Sequence, residues 1–204
     1  MRFLPAAFVL APVLAFAQAP PEPESETIRS EGQNYIETIH AQRAGWVAAG
    51  SRPRDYRMGT GPVPGALEQA AFVIASRPDA HGGLHDFGTL MQMHAPGPFL
   101  GKRLRMSARL KTDSVRRGQM WLRADYAGGV SHLCNMEDRP VRDTADWQRY
   151  ELVMDVPEKT DFIAYGFFVA GGKGTAWMDG LTLEVVDKTV PVTERGCSMS
   201  QHWY

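Results

Sequence analysis

Apolar and polar residues alternate along most of this chain from Gly45 onward, in short runs broken by Gly, Pro, Asp and Asn. The clearest run is RLRMSARLKT at 103–112, where every second residue from Leu104 to Leu110 is apolar. A period of two is that of a β-strand with one buried and one solvated face. Short strands separated by turn residues predict an all-β, antiparallel sandwich or barrel.

The next run, QMWLRADY at 119–126, has an unusual outer face. Counting by twos puts Trp121, Arg123 and Asp125 together on the side opposite Met120, Leu122 and Ala124. The segment FIAYGFFV at 162–169 is apolar on both faces, which predicts a central, covered strand.

The last predicted strand is TAWMDGLTLEVV at 175–186, and GGKG at 171–174 predicts a hairpin turn before it. Counting by twos places Trp177, Asp179, Leu181, Leu183 and Val185 on one face. Asp179 is the polar exception there, so we expect it to lie at a sheet edge or to bond a nearby loop.

The N-terminus reads as a targeting segment, with Arg2 before an apolar stretch and small residues that offer cleavage sites. We predict a signal peptide over 1–17, cleaved after Ala17. Cleavage after Ala19 or an uncleaved anchor are the alternatives. Export predicts a periplasmic or secreted protein.

Three further regions follow from composition. Residues 18–44 predict a Pro- and Glu-rich linker, with a possible short helix over 28–43. Residues 45–187 predict the sandwich, and residues 188–204 a C-terminal tail.

The 204-residue chain carries a formal charge of −1, which gives no electrostatic case for nucleic acid. After signal cleavage no apolar run is long enough to predict a membrane span.

The chain has two cysteines, Cys134 and Cys197. In an oxidising compartment they predict an intramolecular disulfide, worth about 3–4 kcal/mol by chain entropy, that holds the tail. The alternative is a buried Cys134 with Cys197 paired to another chain.

Catalytic motifs are weak. His81 and His85 lie four residues apart, but HGGLHDFG reads as a loop and no third metal ligand is near in sequence. Ser131 and His132 are adjacent, so on a strand they point to opposite faces and do not support a triad.

Paired carboxylates are the remaining enzymatic option. Glu137 and Asp138 could act with Asp125 or Asp143 as the acid and base of a glycosidase. Acidic pairs on loops are common, so we do not predict an enzyme.

The run Thr144, Trp147, Tyr150, followed by a strand that ends in Val-Pro, resembles galactose-binding-domain-like jelly rolls, as does the order of the predicted strands. Many carbohydrate-binding modules of exported enzymes share that architecture. More narrowly, GWVAAGSRPRDYRMG with NMEDRP resembles a bacterial subset of uncharacterised domains, sometimes appended to transcriptional regulators. We see no helix-turn-helix segment, so regulation of DNA does not carry over.

The resemblance covers roughly residues 45–187 and implies a jelly-roll β-sandwich. Modules of this type often hold a structural calcium, to which Asp179 could contribute. We can name no full set of oxygen ligands, so we predict no cofactor.

Sugars present apolar C–H faces and hydroxyl pairs, which aromatic rings and planar polar groups recognise. Trp121, Arg123 and Asp125 supply that set, and a neighbouring loop could add Asn135, Asp138 and Arg139. In the alternative, a loop or the N-terminal segment covers Trp121, and Arg123–Asp138 is a structural ion pair.

We therefore predict an exported, non-catalytic module that binds a carbohydrate or another small polar ligand. The alternative is a periplasmic or cell-surface domain that docks on an envelope protein. A glycoside-active enzyme is less favoured by the sequence.

Overall fold

The computed structural model of the chain describes residues 26–29, 36–39, 45–126 and 130–200. These residues contain no α-helix; regular structure consists of strands and two 3-10 helices, Pro53–Asp55 and Gly97–Phe99. The strands are β1 Glu26–Arg29, β2 Ile36–Ile39, β3 Trp46–Ala49, β4 Tyr56–Gly61, β5 Ala71–Ser76, β6 Phe87–His94, β7 Arg103–Tyr126, β8 Val130–Asn135, β9 Val141–Asp155, β10 Thr160–Ala170, β11 Thr175–Val186 and β12 Cys197–Ser200.

Strand β7 runs for 24 residues and belongs to two layers. Its first half, up to Asp113, pairs with β11, and its second half, from Arg117, pairs with β10. On the other side it pairs with β9 as far as Gly118 and with β8 from Trp121. The register shifts between Leu110 and Gly118 mark the transition between the two halves. One layer has the order β4-β5-β11-β7-β9, and the other has the order β3-β6-β10-β7-β8-β12, all antiparallel.

The main core lies between these layers. Leu104 and Leu110 from the first half of β7 share one buried cluster with Met120 and Leu122 from the second half. Phe167 of β10 and Leu152 of β9 join the same cluster. The alternation predicted for 103–112 and 119–126 is confirmed, because each half of β7 contributes every second side chain to the space between the layers.

Strand β10 lies between β6 and β7, as its apolar faces predict. Ile163 and Phe167 face the main core, while Ala164 packs in a separate cluster on the other side with Trp121. The result is the predicted all-β jelly-roll sandwich.

The single face predicted for β11 is wrong beyond Asp179. The register against β7 shifts by one residue between Asp179 and Thr182, around Gly180, whose φ is 61°. A bulge of this kind reverses the side that later residues face. Trp177 therefore lies in an outer cluster, whereas Leu181 and Leu183 pack against the main core.

GGKG is a connection between layers and not the predicted hairpin turn. Strands β10 and β11 lie on opposite sides of β7 in the strand order, so they are not partners. Gly171, Gly172 and Gly174 have φ values of 90°, 66° and 81°, which the chain uses to cross from one layer to the other. A turn signal in the sequence does not state which strands pair.

The N-terminal segment differs from the predicted helix where it is described. Glu26–Arg29 and Ile36–Ile39 are strands that pair antiparallel, with Glu26 opposite Ile39. A strand with a hydrogen-bonded partner has replaced the weak helical pattern. The predicted signal peptide, the rest of the linker and the last four residues lie outside the described residues. In the part of the chain that is described, no helix is long and apolar enough to cross a membrane.

The predicted disulfide between Cys134 and Cys197 is formed and joins β8 to β12. Cys134 faces the main core and is fully buried. Thr193 adds a second attachment of the tail, since its N–H donates to the carbonyl of Val153 over 2.9 Å. The tail is held along β8 and β9, as the cysteine pair predicts.

Candidate functional site

A groove with a volume of about 440 Å³ lies on the outer face of the layer that contains β3, β6, β10, the second half of β7, and β8. Strand β7 supplies four of its lining side chains: Arg117, Gln119, Trp121 and Arg123. They occupy alternate positions and therefore share one face. The residues between them, such as Met120 and Leu122, point into the main core.

The Trp121 side chain reaches across the neighbouring strand β10. Its indole N–H donates to Thr89 Oγ1 over 3.0 Å, and Thr89 is on β6, with β10 between the two strands. The β10 residue opposite Trp121 is Gly166. The indole is 8 % exposed and packs on Leu133 and Ala164, which lie on the neighbouring strands β8 and β10, and it still lines the groove.

Gln119 is a buried polar residue of the groove whose burial the surrounding hydrogen bonds do not explain. Its side chain is 1 % exposed, yet neither the amide oxygen nor the amide nitrogen has a hydrogen-bond partner in the described structure. A buried polar group without a partner costs about 1–3 kcal/mol. Gln119 lines the groove beside Trp121 and opposite Phe168 of β10. A ligand that enters the groove can supply the missing bonds.

The two arginines of the groove have different surroundings. Arg123 Nε lies 2.9 Å from the Asp125 carboxylate, and its guanidinium carbon is 5.8 Å from the centre of the Trp121 ring. The guanidinium carbon of Arg117 is 5.7 Å from the centre of the Phe168 ring. Phe168 also lies 5.5 Å from Phe87, between ring centres. Each arginine of the groove thus lies near an aromatic ring.

The predicted rim divides into two parts. Asn135 lines the groove, and its Oδ1 accepts a hydrogen bond from the N–H of Glu137 over 2.9 Å, which orients the amide. Asp138 and Arg139 are not lining residues: they pair with each other at 3.1 Å, and Arg139 donates to the carbonyl of Glu151. They brace the connection from β8 to β9.

The ion pair that the alternative predicted between Arg123 and Asp138 is not formed. The acid that pairs with Arg123 is Asp125 and not Asp138, because Asp125 lies two residues along the same face of β7. Of the six predicted ligand-binding residues, the structure brings three into the lining of the groove: Trp121, Arg123 and Asn135. Their role as ligand contacts stays a prediction.

A loop at one end of the groove carries His85, which lines it. The loop is held by Asp86, whose carboxylate lies 2.8 Å from His81 Nδ1 and 3.7 Å from Arg52 Nε. The hydrogen bond with His81 lowers the pKa of Asp86 below its usual value. Tyr56 adds to the anchor because its hydroxyl donates to the carbonyl of Asp86, and burial raises the pKa of that phenol.

His81 and His85, the pair considered as metal ligands, lie on this same loop. Within the ranges that the structure covers, no group of three or more His, Cys, Asp or Glu side chains is placed to hold a metal ion. The structural calcium considered from the resemblance stays untested. His81 serves the loop through Asp86 instead.

Sequence reasoning missed Gln119, Arg117, Phe168, Phe87 and Glu137 as lining residues. The first two had a usable signal, since counting back by twos from Trp121 reaches them directly. The others come from β6, β10 and the turn after β8, and no local pattern relates them to β7. Only the strand order brings them together.

Comparison with protein-family models finds no match. An uncharacterized HTH-type transcriptional regulator of Bacillus subtilis, YbfP, is 36% identical over 163 residues, which are 79% of this chain and 53% of that protein. The chain therefore spans about half the length of the curated relative it matches.

Two solved structures have similar folds. The C-terminal family 22 carbohydrate binding module of Clostridium thermocellum Xyn10B superposes with a TM-score of 0.51 at 12% identity, over 80% of this chain and 96% of that one. The enzymatically active domain of tailspike protein 4 from bacteriophage CBA120 gives 0.54 at 14% identity, over 70% of this chain and 20% of that one. The chain has the jelly-roll fold of carbohydrate-binding modules, and its sequence is similar to that of a protein that is a transcriptional regulator.

Proposed function

We propose that this chain is an exported, non-catalytic module whose outer groove binds a carbohydrate. The observation that carries the proposal is Gln119, a buried amide that lines the groove and has no partner in the described structure. Buried polar groups in folded proteins are almost always hydrogen-bonded, so an amide left without a partner beside an open groove is suited to a ligand.

The chemistry around Gln119 suits a sugar. The rings of Phe87 and Phe168 are half-buried and offer apolar faces for sugar C–H groups. The amides of Gln119 and Asn135 and the guanidinium of Arg123 can donate to or accept from hydroxyl pairs. A groove lined by aromatic rings and a few planar polar groups is typical of small-molecule recognition.

The fold supports the same role. In the Xyn10B module of similar fold, conserved residues of a cleft have a role in ligand binding. The enzymatic option is disfavoured by the carboxylates: among the described residues that line the groove, Glu137 is the single acid. A glycosidase needs two carboxyl groups about 5–10 Å apart across the bond that is cleaved.

Export is supported by the signal-peptide pattern of the first 17 residues and by the Cys134–Cys197 disulfide. Disulfides form and persist in oxidising compartments such as the periplasm or the extracellular space. We infer that the protein works in one of these places.

The test compares wild type with Gln119→Met on a glycan array, followed by calorimetry with each oligosaccharide that binds. Met has a similar length and no hydrogen-bonding amide, so we expect affinity to fall at least about tenfold. Removing a partnerless buried amide is neutral or stabilises the fold by about 1 kcal/mol, so urea unfolding should show no loss. Trp121→Ala is a poorer probe because truncating a buried Trp costs about 3–5 kcal/mol.

Gln148→Met is the matched control, since Gln148 is an exposed amide on β9 in the other layer. It should leave binding unchanged. The carbohydrate proposal fails if wild type binds no glycan, or if Gln119→Met binds as tightly as wild type. Recovery of a stoichiometric protein partner from a cell-envelope fraction, with no glycan bound, would instead support the docking alternative.

A further inference from the structure

Arg117 is the cation of the groove that has no carboxylate partner. Arg123 is neutralised by Asp125 at 2.9 Å, whereas no Asp or Glu of the described residues lies within ion-pair distance of Arg117. Its guanidinium is 5.7 Å from the centre of the Phe168 ring, and the residue is half-buried. A partly desolvated cation without a counter-ion attracts an anionic ligand more strongly than a solvated one does.

The groove is polarised across β7. Phe168, toward which Arg117 is turned, belongs to β10 on one side of β7, and Glu137 follows β8 on the other side. Gln119 lies between them, two residues from Arg117 on the same face and directly opposite Phe168. An anionic group is therefore favoured on the β10 side of the groove, and neutral hydroxyls are favoured near Glu137.

We propose that the ligand is an acidic carbohydrate, a sugar that carries a carboxylate such as a uronic acid. This rests on the carbohydrate-binding function proposed above. The guanidinium of Arg117 can hold a carboxylate through two parallel hydrogen bonds, and the amide nitrogen of Gln119 can donate a third. The sugar ring then lies against Phe168, and its hydroxyls meet Asn135 and the acceptor oxygens of Glu137.

The experiment uses oligomers of galacturonic acid, mannuronic acid and a glucuronic-acid-bearing xylan, each beside its carboxyl-reduced, neutral counterpart. Calorimetry measures every pair against wild type, Arg117→Gln and Arg117→Lys. We expect one acid to bind wild type about 10- to 100-fold more tightly than its reduced form. Arg117→Gln should bring the two forms within about twofold, and Arg117→Lys should retain part of the difference because it keeps the charge.

Arg54→Gln is the charge control, since Arg54 is an exposed residue of the first 3-10 helix. It should keep the preference for the acid. The inference is overturned if neutral sugars bind and their acidic forms do not, which would leave the carbohydrate function standing. It is also overturned if Arg117→Gln keeps the full preference, or if a sulfated oligosaccharide binds in place of every uronate. If no sugar of either kind binds, the proposed function fails with it.

Discussion

Gln119 and Asp179 are the two polar side chains whose surroundings separate a ligand-binding role from a structural one. Both are almost fully buried, at 1 % and 2 % exposure. The Asp179 carboxylate accepts the backbone N–H groups of Leu67 and Glu68 and has Arg109 at 3.9 Å, whereas the amide of Gln119 has no partner in the described structure. Asp179 is therefore satisfied by the fold, and Gln119 remains available to a ligand.

The expectation that Asp179 bonds a nearby loop is confirmed, and its energetic weight can be tested with Asp179→Ala. The change leaves the N–H groups of Leu67 and Glu68 without their acceptor and Arg109 without its counter-charge. We expect a loss of about 2–3 kcal/mol in the free energy of unfolding, measured in urea.

Glu184→Ala is the control for this loss. Glu184 also pairs with an arginine, Arg105, at 2.9 Å, but its side chain is 45% exposed. Exposed ion pairs contribute about 0–1 kcal/mol, so this variant should lose far less. Equal effects of the two variants would show that the contacts of Asp179 with the loop contribute little.

At the level of elements, the alternation of side chains was sufficient to predict the strands of the core. Leu104 to Leu110 and Met120 to Ala124 show a strict period of two, and each set lies on the core face. The bulge at Gly180 was not predictable, because one extra residue changes the register without changing the composition. The partners of β10 and β11 were not predictable either, since a glycine-rich turn fits a hairpin and a connection between layers equally well.

The pairing of β8 with β12 yields a prediction about the disulfide. Cys134 and Cys197 are separated by 63 residues, and on the chain-entropy model a loop of that size stabilises the fold by about 4 kcal/mol. We expect Cys134→Ala/Cys197→Ala to lose roughly that amount in urea unfolding. The intact wild-type protein should be lighter than its reduced form by the two thiol hydrogens.

A reducing agent distinguishes the stability contributed by the disulfide bond from that contributed by the packing of the two cysteine side chains. It should bring wild type close to the stability of the double variant and leave the double variant itself unchanged. Wild-type stability that does not respond to reductant would mean that the bond adds little beyond the packing of β12.

At the scale of the whole molecule, the groove exists because β7 continues from one layer into the other. Its second half is bordered by β10 on one side and β8 on the other, so residues as distant in sequence as Thr89, Asn135 and Phe168 line the same groove as Trp121. Sequence reasoning recovered Trp121 and Arg123 on β7 and Asn135 at the end of β8. The remainder depends on strand order, which residue patterns alone do not contain.

The stability of the whole molecule should also depend on pH. As the pH falls, the first group that changes it is His132. His132 is half-buried on β8, and burial lowers its pKa from the usual 6.5, against the opposing effect of Asp155 on β9. The unfolded chain then binds a proton that the folded chain does not. Stability is therefore complete above about pH 6.5 and falls as the pH drops toward the lower folded pKa.

A second loss follows at lower pH. The pKa of Asp155 is lowered from 3.8, mainly by its hydrogen bond with Arg103, and that of Asp86 is lowered mainly by His81. Folded carboxyls with lowered pKa values stabilise the protein above the unfolded value, and this contribution disappears as the pH falls through the folded value. Urea unfolding across about pH 2–8 should thus show two separate declines, the second below the unfolded carboxyl pKa of 3.8. His132→Gln should remove the upper decline while His85→Gln, a change at an exposed histidine of the groove, preserves it; an upper decline that survives His132→Gln would assign the proton to another group.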